Sequence, residues 1–139
     1  MQEEFLTYSV PKLIGQVADT SLAQIDSYVA EEDTIEFGAP VMRGTDSSKQ
    51  VKNLDNKDKF LGIAVRNDAR YEGHYPANTM VSVMTFGRVV VTTTTAVVAG
   101  DIAYAHATGK INKTATDGTA IGVFASNASA NGLVILEIK

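Results

Sequence analysis

The chain has 139 residues, 45% hydrophobic and 20% charged, with a formal charge of −4 at pH 7. That is one globular domain in length and too apolar for disorder, and the scattering of its twelve Lys and Arg argues against a dedicated nucleic-acid surface, which needs clustered cations. It holds no cysteine, which rules out disulfides and thiolate metal sites, and no run of about 18 apolar residues suited to a membrane helix.

The first segment, Met1 to Gln24, mixes polar residues, Pro11 and Gly15 with isolated apolar side chains. It has no basic n-region or long apolar run and so does not read as a secretory signal. Isolated anchors without periodicity suit an extended arm or strap over residues 1–24, held by something else; a strand that closes a barrel is the other reading. Ser21 to Glu32 also reads two ways. Leu22, Ile25 and Val29 share a helical face behind a possible Ser21/Gln24 capping box, while Ile25, Ser27 and Val29 alternate as in a strand. The strand is preferred because everything downstream is β.

From Thr34 onward strand signals alternate with turn chemistry. The expected strands are Thr34 to Arg43, Phe60 to Arg66, Met80 to Thr95, Ile102 to His106, Ala120 to Ser126 and Leu133 to Ile138. Turns fall at Gly44, Gly73, Gly109, Asp117-Gly118 and Asn131-Gly132, and Lys49 to Lys59 reads as a solvated, mixed-charge loop. Gly87 inside the longest strand predicts a bulge or bend. The fold class expected is all-β: a single compact sandwich or barrel over 25–139, behind the arm.

An internal echo runs through this domain. FGAPVMRG, FLGIAVRN and ANTMVSVM in the first half answer to VAGDIAYAH, AIGVFASN and ANGLVILEI in the second. Glycines recur at Gly38 and Gly100 and at Gly62 and Gly122, and Ala-Asn pairs at Asn78 and Asn131. The echo predicts two similar β-units, about 34–95 and 96–139.

Chemistry is sparse. His74 and His106 stand alone, without metal-ligand spacing. No GxSxG elbow, phosphate loop or calcium loop occurs, and the aromatic residues are too thinly spread for a sugar platform. The expectation is therefore no catalytic residue, no metal and no cofactor. The stretch from Val89 to Val98 has β-branched residues and no charge, so a neighbouring subunit can cover it without stranding an ion. Val89, Val91, Thr93 and Thr95 are the candidate self-association residues, and lysine at 91 and 93 is expected to give a soluble monomer.

The order of these features resembles a known family, the cement or decoration proteins of tailed-phage heads. The resemblance is carried by SYVAEEDTIEFGAPVMRG (Ser27 to Gly44), FLGIAV (Phe60 to Val65), TMVSVMTFGRVVV (Thr79 to Val91), VVAGDIAYAHATGKI (Val97 to Ile111) and AIGVF (Ala120 to Phe124). It covers Ser27 to Lys139. It implies a jelly-roll-like structural protein of the virion, made in the host cytoplasm, that binds the outer surface of an HK97-like capsid and cements neighbouring major capsid subunits in the expanded head. Its partners would be the major capsid protein and itself, as a homodimer in preference to a trimer, with no nucleic acid and no membrane. The arm would then bind the capsid through Phe5, Leu6, Tyr8 and Leu13. The competing expectation is a tail or fibre module that recognises host glycan.

Overall fold

The computed structural model describes residues 13–32, 34–67 and 73–139, with only the backbone described at 19–22. Eleven strands follow in order: β1 (Val17–Ala30), β2 (Ile35–Glu36), β3 (Pro40–Arg43), β4 (Gln50–Asn53), β5 (Phe60–Ala64), β6 (His74–Tyr75), β7 (Met80–Thr92), β8 (Ile102–His106), β9 (Ile111–Asn112), β10 (Gly118–Phe124) and β11 (Leu133–Ile138). Among the described residues the one helical element is a 3-10 turn, Lys57–Lys59. Val17 to Ala30 is therefore strand, not helix, and all-β is the fold class.

The strands form two fused barrels. β1, β4, β3, β5 and β7 are hydrogen-bonded in that order, and β7 pairs back with β1 to close the first ring. The second ring runs β7, β11, β10, β8, β9 and closes through a parallel bridge between Thr93 and Ile111. The 13-residue β7 belongs to both: Met80 to Val89 pairs with β1, with register shifts beyond Phe86, and Gly87 to Thr92 pairs with β11. At the changeover Gly87 has φ +125°, and a Cβ there would lie 3.0 Å from Ala23 Cα of β1. A side chain at this point would push the two strands apart.

The two barrels share one register. Pro40 faces Ile63, Val41 faces Gly62, and after a bulge that skips Leu61, Met42 faces Phe60. In the second barrel Ile102 faces Val123, Ala103 faces Gly122, and after a bulge that skips Ile121, Tyr104 faces Ala120. The parallel closure of β1 on β4, Ala30 with Val51, has its counterpart in Thr93 with Ile111. The small antiparallel pair Ile35–Tyr75 corresponds to Val97–Ala128. Gly38 and Gly100 both have positive φ, as do Asn78 and Asn131 at 66° and 65°.

The interior follows from this register. Ala30, Ile35, Val41, Val51, Ala64, Tyr75, Val81 and Val83 fill the first barrel with Phe37, whose ring meets Tyr75 edge-on at 5.3 Å. The second cluster holds Ala103, Ile111, Phe124, Val134 and Leu136, and it also takes in Leu54, Ile63, Val65 and Met84 from the outer side of the first barrel. The second barrel therefore caps the first. Burying an Ile or Met side chain contributes about 1.5–3 kcal/mol, so this shared cluster binds the two barrels into one body.

The expected strand Thr34 to Arg43 is split into β2 and β3 around Gly38. The expected loop Lys49 to Lys59 contains β4, whose single inward residue, Val51, is fully buried; one apolar side chain among charges gives no alternation to read. Of the expected arm, residues 1–12 lie outside the described residues and Val17 onward is strand. Between them the segment 13–16 is stitched across the junction. Gly15 N donates to Val90 O at 2.6 Å, Val90 N to Gln16 O at 2.9 Å and Arg66 N to Gly15 O at 2.8 Å.

Candidate interaction surfaces

Polar side chains that invite a chemical reading are committed to the fold. The Glu31 carboxylate accepts from Thr45 N, and that hydrogen bond from the Thr45 backbone holds its pKa below the ordinary value. Glu32 accepts from Asn53 N at 2.7 Å. Both thus fasten the β3–β4 hairpin to the end of β1. The Asp46 pKa is likewise lowered by the hydroxyl and backbone N–H of Ser48, and that of Lys52 is raised by its hydrogen bond and 3.0 Å ion pair with Asp55. In the second barrel His106 Nε2 lies 2.8 Å from Asn112 Oδ1, and Asn112 Nδ2 donates to Thr94 Oγ1 at 2.8 Å. This chain of bonds satisfies the buried Asn112 and ties β9 to Thr94, just past the end of β7. Among the described residues no cluster of three His, Cys, Asp or Glu is placed to hold a metal ion.

Two adjoining hollows of about 220 and 240 Å³ lie where the barrels meet, with Glu36, Ala39 and Gly109 lining both. Glu36 and Lys110 are their charged groups, and nothing there pairs a nucleophile with a base.

The expected interaction residues are placed as follows. Phe5, Leu6 and Tyr8 lie outside the described residues. Leu13 is 45% exposed, and its N–H donates to Gln16 Oε1 at 2.9 Å. Val89, Val91 and Thr93 are fully buried in the protomer's own core, and Thr95 is half-buried. Thr93 Oγ1 donates to Thr95 O at 2.9 Å, which uses the hydroxyl locally. None of these three side chains is open to a neighbour, and a lysine at 91 would meet apolar residues instead of water. A sequence shows the strand's neutrality but not that both its edges and both its faces are covered.

The exposed large apolar residues lie elsewhere: Ile25, Met80 and Phe86 on the first barrel, Val98, Ile102 and Leu133 on the second. Sequence reasoning gave these no role, because an outward apolar residue on a strand looks the same as an inward one until register is known.

The family model described as structural cement protein (E217 gp24/Pam3 gp6) matches residues 2–139. The chain belongs to this family. It is thus a structural protein of the phage virion whose role is to bind and cement capsid proteins. Among solved structures, a chain in the capsid of Myoviridae phage XM1 is similar with a TM-score of 0.72 and 23% identity, covering 92% of this chain and 91% of that one. The head fiber gp8.5 N base of bacteriophage phi29 is similar at TM-score 0.57 and 14% identity, over 85% of this chain and 95% of that one. Both are likenesses of fold. No curated protein matches the chain.

Proposed function

We propose that this cement protein coats the outer surface of an HK97-like shell, bridges neighbouring major capsid subunits and holds the expanded head against internal pressure. The family match over residues 2–139 carries this reading, and the commitment of the polar side chains to hairpin ties and strand closure supports it. The protein acts without catalysis, binds neither nucleic acid nor membrane, and is made in the host cytoplasm before it joins the virion. It works as a homodimer, which places the same contacts on both sides of a two-fold position. Residues 1–24 supply the shell-binding anchors Phe5, Leu6, Tyr8 and Leu13, and the two β-units derive from one duplicated unit.

Contacts repeated at each site add through effective concentration, so individually weak contacts still give firm attachment. The test is co-sedimentation of the purified protein with expanded heads that lack it. Saturation at a fixed ratio to the major capsid protein, with heads made more resistant to heat, is the expected result. No binding at any concentration sinks the reading.

A further inference from the structure

Resting on the cement reading above, we propose that the outer face of β8 and β10, centred on Ile102, Tyr104, Ala120 and Val123, is the surface on which the major capsid subunit docks. An antiparallel sheet with one face in water normally presents polar residues there. This face instead carries no charge at its four central positions. Ile102 is 51% exposed and Val98, just before β8, is 58% exposed. At its margins lie Arg88 and Glu137, which neutralise each other at 3.3 Å beside β11, and Asp101, whose Oδ2 accepts from Val98 N at 2.9 Å.

The first barrel shows what such a face requires. By register, Ile102, Tyr104, Ala120 and Val123 correspond to Pro40, Met42, Phe60 and Ile63. Those four are apolar too, and there the reason is visible. Pro40 is buried, Ile63 is fully buried, and Met42 and Phe60 pack against the cluster that the second barrel contributes. Pro40 and Ile63 are buried in the first unit, whereas their counterparts in the second are less covered: Ile102 and Ala120 are exposed and Tyr104 and Val123 half-buried.

Area decides the occupant. Two strands about 4.8 Å apart and some 17 Å long present on the order of 150–200 Å². A stable two-body interface needs about 800 Å² per partner, so two copies of this chain meeting through the face alone would not hold. A shell presents the same contact many times and lets each bound oligomer make several at once, which is the setting in which a small patch contributes. The partner surface is therefore an apolar, uncharged stretch of the major capsid subunit, since a charge there would be desolvated without a counter-ion.

The experiment compares three single variants for binding to expanded heads lacking the protein: Ile102→Lys and Ala120→Glu on the face, and Met80→Lys, equally exposed but on the first barrel. Thermal midpoint and sedimentation coefficient are recorded for each. The expected result is at least a tenfold loss of head affinity in both face variants, with wild-type melting and oligomeric state, and wild-type binding by Met80→Lys. Face variants that bind as wild type overturn the proposal, as does an equal loss in all three. A changed oligomeric state with unaltered head binding also overturns it, because the occupant is then a second copy. Failure of the wild-type protein itself to bind separates the collapse of the cement reading from the failure of this surface.

Discussion

In the first barrel Pro40, Ile63 and Met84 form a row across β3, β5 and β7; in the second, Ile102, Val123 and Glu137 form the same row across β8, β10 and β11. Ile63 and Met84 are sealed under the neighbouring barrel, whereas Ile102 is half in water and Glu137 pairs with Arg88 at the surface. Register is thus common to the two units and environment is not. Equivalent positions teach which features the barrel itself demands and which are set by what lies outside it.

The largest effects should fall where the barrels agree. A Cβ on Gly62 would lie 2.3 Å from Met84 O, and one on Gly122 would lie 1.9 Å from Glu137 O. No rotamer relieves a clash with a neighbouring strand's carbonyl, so Gly62→Ala and Gly122→Ala should each cost about 3 kcal/mol or more, or prevent folding, as read by urea unfolding. A mild effect at either would break the equivalence. Val91→Lys belongs in the same class: it buries an unpaired ammonium and should give insoluble or unfolded protein in place of the soluble monomer that the sequence suggested, as size-exclusion chromatography of the soluble fraction will show.

Next come positions where the barrels differ. Ile63→Ala should cost about 2–5 kcal/mol, the usual loss for a buried large-to-small change. Val123→Ala, only half-buried, should cost less than about 1 kcal/mol in the same unfolding assay. Similar values would mean that the second barrel's outer row is covered in solution by self-association.

The smallest effect separates the hairpin ties. Glu31 holds the first barrel's β3–β4 hairpin with a carboxylate, while the second barrel closes through the neutral Asn112–Thr94 pair. Because the folded Glu31 pKa lies below its ordinary value, its contribution is complete above the ordinary carboxylate range and is lost as pH falls through the folded value. Glu31→Gln should therefore be slightly less stable than wild type at pH 7, and the two should converge in strong acid. A gap that persists at low pH would assign the tie to packing.

Much of the fold was legible because its signals are local. Ile102 to His106 and Leu133 to Ile138 are runs of strand-forming residues set off by turn residues, and they form β8 and β11 within the bounds read from sequence. Of the echoed residues, Gly38 and Gly100 both have positive φ, and Asn78 and Asn131 have φ of 66° and 65°. The strands β4, β6 and β9 were missed because two to four residues cannot display a period, and their pairing partners are distant in sequence. Burial of Val89 and Val91 was also illegible. Val-Val-Val is continuous, and only the closure of β7 by β11 on one edge and by Gly15–Gln16 on the other shows that every face of it is used. Gly15 falls within the expected arm, whereas its N–H and C=O bond Val90 and Arg66 across the junction.

That stitch gives the amino-terminal boundary a sharp position. Removing residues 1–16 takes away the hydrogen bonds to Val90 and Arg66 and should lower the thermal midpoint by several degrees; a deletion that stops at residue 12 keeps those bonds. The arm's role in head binding is therefore to be tested with the shorter deletion, whose loss of binding would not be confounded by loss of fold.

The single strand β7 has a mechanical consequence. One uninterrupted backbone runs the length of both barrels, so there is no linker about which they can swing. Pulling the barrels apart along that strand loads the flanking β1 and β11 ladders in shear, where many hydrogen bonds must yield together instead of opening one by one. Forced separation is governed by that barrier and not by equilibrium stability. A tile clamped between subunits that strain apart thus resists by the rate at which it can be torn, a property fixed by the length of one strand.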